Sequence, residues 1–186
     1  MAERVCPWWL GYLLASPIRR WFMQPPEKLL GRFVRPGMTV LEPGPGMGFF
    51  TLPMAELTGP SGRIVAVDIQ AKMLDVLRRK ALKRGLLPPI EVRLAQPDTM
   101  RVVDLKGKVD FVLAFAVVHE MPSAERFFLE AAAALKPGGL LLLAEPAGHV
   151  NTEAFAAELQ VARAAGLEQA ERPAIRSCHA AVLRKI

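Results

Sequence analysis

Glu42, Gly44, Gly46 and Gly48 alternate along the stretch Val40-Leu41-Glu42-Pro43-Gly44-Pro45-Gly46-Met47-Gly48, with an apolar run entering it and a helical pattern leaving it. Residues without side chains let main chain approach a ligand, and the first turn of a following helix offers N–H groups that no helical carbonyl takes up. Twenty residues past Gly48, the run Ile64-Val65-Ala66-Val67 ends on Asp68, whose carboxylate can accept hydrogen bonds from ribose hydroxyls. Together the loop and the acid point to a ligand containing adenosine. The same glycines would also serve a tight strand-to-helix turn that needs them merely to bend.

The dinucleotide fingerprint G-x-G-x-x-G/A places a small residue where this chain has Phe49, so a hydride-transferring oxidoreductase is disfavoured. The spacing E/D-x-G-x-G-x-G after a first strand, with an acid closing the second, instead resembles motif I of class I S-adenosylmethionine-dependent methyltransferases. That resemblance implies that Glu42 to Gly48 cradle the methionine part of S-adenosyl-L-methionine. It also implies that Asp68, with Ile69 beside it, takes the ribose, and that main chain near Ala114 or Phe115 accepts the cofactor's ammonium. One stretch departs from the family. Related enzymes carry Asp after strand three to reach the adenine amino group, whereas this chain reads Ala95-Gln96-Pro97-Asp98, and Pro97 has no N–H to give. Either Gln96 supplies its amide oxygen, or Asp98 reaches in from a shifted loop, or Asp98 is a plain loop residue.

The most reactive side chains near this pocket lie in Val117-Val118-His119-Glu120-Met121-Pro122. An imidazole exchanges its proton near neutral pH, so His119 can serve as a general base toward a hydroxyl, thiol or acidic carbon, with Glu120 beside it. A His here looks like that of many small-molecule methyltransferases, including relatives of the quinone-biosynthesis C-methyltransferases. The competing role for His119 or Glu120 is to cap the next helix or orient the loop. No N-P-P-Y or D-P-P-Y follows strand four, as enzymes methylating exocyclic amines or amides would have, and no acid there suits magnesium, so no metal is expected.

Trp8, Trp9, Trp21 and Tyr12 all fall within the first 21 residues. In the resembled enzymes the segment before strand one often folds over the pocket. A cover of Trp8, Trp9, Tyr12 and Phe22 would suit an apolar or aromatic acceptor and could favour a sulfonium through its π faces. Packing on the sheet, and transient contact with a membrane surface aided by Arg19 and Arg20, stay open as alternatives.

These residues need a scaffold, and turn signals divide the chain into alternating strands and helices, the pattern of a parallel sheet covered on both faces. Strands are expected at 39–42, 63–68, 90–95, 110–116 and 140–144, with a terminal pair at 167–172 and 178–183. Helices are expected at 47–57, through the basic stretch to Arg84, from Pro122-Ser123 to a stop at Lys136-Pro137-Gly138-Gly139, and from Asn151 or Thr152 to Ala165. The fold class is therefore α/β, a Rossmann-like, seven-stranded, mostly parallel sheet ending in an antiparallel pair. The resemblance implies the strand order 3-2-1-4-5-7-6. The loops after strands one to four then converge beside the point where strand order reverses.

The 186 residues, 52% of them apolar, fit one domain: a cofactor-binding core at 37–186 and an N-terminal helical cover at 1–36. The net charge of +6 attracts anions, yet Lys72, Arg78, Arg79, Lys80, Lys83 and Arg84 share one helix whose buried stripe is Met73, Leu74, Leu77 and Ala81. A solvated face is the expectation there, and no nucleic-acid partner, since no aromatics interleave to stack on bases. The two distant cysteines, Cys6 and Cys178, fit a reducing cytoplasm. The apolar run from Val5 to Ala15 is too short to span a bilayer, so secretion is not expected. The expected function is methyl transfer from S-adenosyl-L-methionine to a small hydrophobic or aromatic acceptor. An RNA methyltransferase and a non-catalytic cofactor-binding protein are the rivals, and no oligomeric state follows from the sequence.

Overall fold

The computed structural model describes residues 25–87 and 89–186. Trp8, Trp9, Tyr12 and Phe22 therefore lie outside the described residues, and so does most of the expected cover.

Seven strands form one sheet: β1 (Thr39–Pro43), β2 (Arg63–Asp68), β3 (Ile90–Leu94), β4 (Val109–Phe115), β5 (Leu135–Pro146), β6 (Leu167–Glu171) and β7 (Cys178–Lys185). Their order is β3-β2-β1-β4-β5-β7-β6, as the resemblance implies. Strands one to five pair in parallel, and β7 enters antiparallel between β5 and β6. Among the described residues the α-helices are α1 (Pro26–Leu30), α2 (Thr51–Thr58), α3 (Ala71–Lys83), α4 (Ala124–Ala134) and α5 (Thr152–Ala164).

Successive strand side chains point to opposite faces, and this alternation sorts the core into two halves. Val40, Ile64, Ala66, Phe111, Leu113 and Leu142 pack with Leu29 and Leu30 of α1, Leu52 and Met54 of α2, and Leu77 of α3. Their neighbours Leu41, Val65, Val112, Leu141 and Leu143 face the other way, onto Phe127 and Phe128 of α4 and Phe155 of α5. Every central strand is thus buried twice over, which explains its uninterrupted apolar runs.

Two expected boundaries are corrected. The helix expected from Met47, α2, begins at Thr51, because Gly46 and Gly48 hold left-handed φ angles of 53° and 88° that an α-helix excludes. The stretch Lys136-Pro137-Gly138-Gly139 does not end a helix, which already stops at Ala134. It is a bulge inside β5: pairing passes from Val109–Leu135 to Phe111–Leu140, so four residues of β5 face the single residue Asp110. Asp110 fastens the bulge by an ion pair with Lys136 and accepts the Thr39 N–H at 2.8 Å, tying it to the start of β1. Ser123 and Asn151 cap α4 and α5, each side-chain oxygen accepting a backbone N–H three residues on.

Candidate active site

The sheet order reverses between β1 and β4, and the loops leaving the carboxyl ends of these strands carry most of the expected site. The loop after β1 is built from glycines that do different work. Gly44 (φ 66°) donates to Val67 O at 2.9 Å, and a Cβ there would stand 2.7 Å from Val117 Cγ2. Gly48 is filled from behind, its virtual Cβ 2.5 Å from Leu77 Cδ1. Gly46, between them, has nothing within 4 Å of that position. Open space over a left-handed glycine lets a ligand approach the main chain where a side chain would stand in its way. The loop is tied down from two sides, by Glu42 beneath it and by Lys80.

Glu42 is 2% exposed and accepts the Thr51 hydroxyl at 2.6 Å, locking the first turn of α2 against β1. Burial pushes its carboxyl up to about 8, Thr51 holding it down and the charge of Asp68 adding to the rise. Glu42 is therefore a neutral acid at pH 7. Lys80 corrects the expectation of an all-solvated basic face, since its ammonium turns inward to donate to Met47 O at 3.1 Å. Burial, and next the charge of Arg84, lower its proton affinity.

Asp68 closes β2 and accepts the Gln70 N–H at 2.8 Å. Burial pushes its carboxyl up to about 6, against the N–H groups of Gln70 and Gly46, with Glu120 adding a like charge. It remains mostly ionised at pH 7, facing the same loop as Gly46. Ile69 beside it is 41% exposed, an open apolar surface next to a carboxylate. The third loop is different. Gln96 and Thr99 exchange backbone hydrogen bonds at 3.0 and 3.2 Å, Gln96 is exposed, and Asp98 is turned to Arg126 of α4 at 3.5 Å. That ion pair draws the Asp98 carboxylate outward onto the helix.

Ala114 and Phe115 end β4 fully inside the sheet, and Phe115 packs its ring 4.7 Å from that of Phe50. Ala116 then takes φ 54°, a left-handed conformation that costs an alanine about 1–2 kcal/mol. Its N–H remains bound to Ala144 O at 2.7 Å. The left-handed residue turns the chain abruptly into the 3₁₀ turn Val118–Glu120 that carries His119.

Behind that turn stands a residue that the sequence reading did not single out. Glu145, at the carboxyl end of β5, is wholly buried. One of its carboxylate oxygens accepts the N–H groups of Val117 at 3.3 Å and Val118 at 2.8 Å, and the other meets His119 Nδ1. The hydrogen bond to Glu145, above all, raises His119's proton affinity, with burial opposing it and the charges of Glu145, Glu120 and Glu158 assisting. Since Ser123 caps α4, His119 is not a helix cap. Glu145 left a trace in the sequence: like Glu42 and Asp68, it is an acid ending an apolar strand, in Leu140-Leu141-Leu142-Leu143-Ala144-Glu145. Among the described residues no group of three or more His, Cys, Asp or Glu is arranged to hold a metal ion.

The family model described as a methyltransferase domain matches residues 40–139, the span from β1 to the bulge of β5. The chain is 35% identical over 138 residues to ribosomal protein L11 methyltransferase of Pelotomaculum thermopropionicum, covering 72% of this chain and 42% of that protein. It is 30% identical to arsenite methyltransferase of Halobacterium salinarum, covering 68% and 31%. It is 31% identical to the ubiquinone/menaquinone biosynthesis C-methyltransferase of Brucella canis, covering 60% and 40%. The chain thus spans less than half the length of these curated relatives. In structure it is similar to a SAM-dependent methyltransferase from Aquifex aeolicus, with a TM-score of 0.85, 24% identity and coverage of 98% and 100%. The [4+2]-cyclase SpnF shares the fold at a TM-score of 0.69 and 21% identity, covering 81% of this chain and 61% of that one. The fold alone therefore does not decide the chemistry, which has to be argued from the site.

Proposed function

Because this chain belongs to the methyltransferase domain family, we propose that it transfers the methyl group of S-adenosyl-L-methionine to a small, hydrophobic or aromatic acceptor. The observation that carries the cofactor assignment is the pairing of open space over Gly46 with the Asp68 carboxylate at the neighbouring strand end. A methionine tail needs main chain without side chains in its way, and ribose hydroxyls need an acceptor. Both are present side by side. When bound, the cofactor supplies an already activated methyl group.

The protein's own residues then position, exclude water and move a proton. Gly44, Gly46 and Gly48 shape the cradle, with Glu42, Thr51 and Lys80 holding it. Asp68 takes the ribose, and Ile69 offers apolar surface to the adenine. Gln96 or Asp98 of the third loop reaches the adenine, and the exposed Arg126 beside Asp98 favours Gln96. Main chain at Ala114 and Phe115 borders the amino-acid end. His119, with Glu120 on the same turn, takes the acceptor's proton. The segment at 1–36, with Trp8, Trp9, Tyr12 and Phe22, covers the acceptor.

Calorimetry against S-adenosyl-L-methionine and NAD, followed by incubation with methyl-labelled cofactor and cell extract divided into small-molecule, lipid, RNA and protein fractions, tests this reading. Uptake of the first ligand alone and label in small molecules or lipid is expected. Label confined to RNA or protein overturns the acceptor class, and no binding of S-adenosyl-L-methionine overturns the whole assignment.

A further inference from the structure

His119 Nε2 and His149 Nδ1 stand 3.4 Å apart, one on the turn after β4 and the other on the exposed loop after β5. That is long for a hydrogen bond from a ring nitrogen, whose acceptors ordinarily lie about 2.7–3.2 Å away. It is the spacing of two ligands on a small tetrahedral ion, because zinc–nitrogen bonds of about 2.0–2.1 Å at the tetrahedral angle put two nitrogens about 3.3–3.4 Å apart. The surroundings of the pair fit an ion as well. Behind His119, the wholly buried Glu145 meets Nδ1 with one oxygen while Val117 and Val118 hold the other by their N–H groups. A carboxylate only accepts, so Nδ1 of a neutral His119 carries the hydrogen and Nε2 offers its lone pair. Metal-ligating imidazoles are oriented by carboxylates in this way. Beside the pair, Glu158 lies on the inward stripe of α5, between buried Phe155 and buried Ala162. Its Oε2 is buried without a hydrogen-bond partner, and its charge is felt at both His119 and Glu145. A bare acceptor next to two imidazoles is placed for something that brings positive charge and hydrogen-bond donors.

We propose that His119 Nε2 and His149 Nδ1 bind a late first-row divalent metal ion of the zinc class, with Glu145 orienting His119 and the Glu158 carboxylate accepting a hydrogen bond from water on the ion. The donor set decides the class of ion. Imidazole nitrogens suit Zn²⁺, Ni²⁺ or Cu²⁺, whereas Mg²⁺ and Ca²⁺ take shells of oxygen. No third His, Cys, Asp or Glu among the described residues is arranged with the pair, so water fills the other positions and the site is open. Both ligating nitrogens must be free of hydrogen, so the ion displaces the one that lies between the rings in its absence. The same lone pair of His119 serves an ion or a proton, never both, and His119 is therefore available as a base only while the ion is away. The site itself does not rest on the methyl-transfer reading. Its two ligands are 30 residues apart on separate loops, which is why no spacing in the sequence announces a metal.

Zinc calorimetry and histidine nitrogen NMR on the full, chelator-treated chain test the site. One equivalent of Zn²⁺ should bind, release protons, and shift the resonances of His119 Nε2 and His149 Nδ1. H149A, a change at an exposed position that leaves His119 and Glu145 in place, should weaken zinc binding by at least about tenfold, and E145Q by about 10- to 100-fold. No one-to-one uptake below about 1 mM free zinc, uptake unchanged in H149A or E145Q, or shifts confined to other ring nitrogens overturns the site. Calorimetry of the same samples with S-adenosyl-L-methionine reports on the methyl-transfer reading separately, since loss of cofactor binding condemns that reading and leaves the zinc result standing.

Discussion

Thr51 donates its hydroxyl to Glu42 at 2.6 Å beneath the glycine loop that the two residues bracket. Both are buried, so the bond is a clamp and also a liability. Glu42 titrates near 4.5 when unfolded and about 8 when folded, so the folded state keeps a proton that the unfolded chain loses. The stability this contributes is complete below 4.5 and disappears as pH rises through 8. Wild type should lose up to about 1.4 kcal/mol per pH unit across that window, and Glu42→Gln should not, as read from urea unfolding at each pH. Thr51→Val should cost about 1–3 kcal/mol at pH 7 by leaving the buried carboxyl without its donor. Parallel pH profiles for wild type and E42Q would refute the burial argument.

Asp68 gives the cofactor site its own pH dependence. Its carboxyl is raised to about 6, so the acceptor that ribose hydroxyls need is lost as pH falls below that value. Affinity for S-adenosyl-L-methionine should drop about tenfold per unit under pH 6, and Asp68→Asn should weaken binding at pH 7 by about 10- to 100-fold while removing most of that dependence. Calorimetry from pH 5 to 8 checks both, and a D68N protein that binds like wild type excludes Asp68 from the site.

Gly46 and Gly48 separate binding from folding. At Gly46 a methyl group meets no protein atom, so Gly46→Ala should cost only the backbone strain of about 1–2 kcal/mol yet block the cradle and abolish cofactor binding. At Gly48 the methyl strikes Leu77 in the core, so Gly48→Ala should unfold at distinctly lower denaturant than Gly46→Ala. The reverse ranking of stability would contradict the packing described.

Turnover and cofactor binding should separate at His119. Asn in its place cannot take a proton near neutral pH, so His119→Asn should lower turnover by about 10²- to 10⁴-fold and leave cofactor affinity within a few-fold. Single-turnover methyl transfer and calorimetry on one preparation measure the two effects. Wild-type turnover in H119N removes the residue from the mechanism.

Removal of residues 1–24 distinguishes a cover from packing. If that segment closes over the acceptor, the shortened chain should bind S-adenosyl-L-methionine and transfer methyl poorly. A shortened chain that fails to fold, seen by circular dichroism, assigns the segment to the core.

Much of this protein was legible one segment at a time, because local chemistry writes local patterns. Apolar runs bounded by Gly and Pro mark strands buried on both faces. Alternate glycines mark a left-handed loop, and Ser123 and Asn151 announce the helices they cap. The order of the strands came with the family that the loop resembles, and the sheet has that order. What the sequence hid depends on contacts between distant residues. Lys80 reads as one more solvated cation until the fold sets it against Met47, 33 residues away. Lys136-Pro137-Gly138-Gly139 reads as a turn until Asp110 holds it as a bulge. Asp98 is open in the sequence between an adenine ligand and a plain loop residue, and only the fold shows that Arg126 lies beside it.

The sequence by itself determined the alternation of strands and helices, the glycine cradle and the acid that follows it, since each rests on residues adjacent in the chain. Only the tertiary structure decided what His119 can do. Glu145 lies 26 residues further on and His149 30, and no local pattern relates them. They meet because β4 and β5 are parallel neighbours whose carboxyl ends open on the same edge of the sheet, where a buried carboxylate can be satisfied only by what the next strand's loop presents.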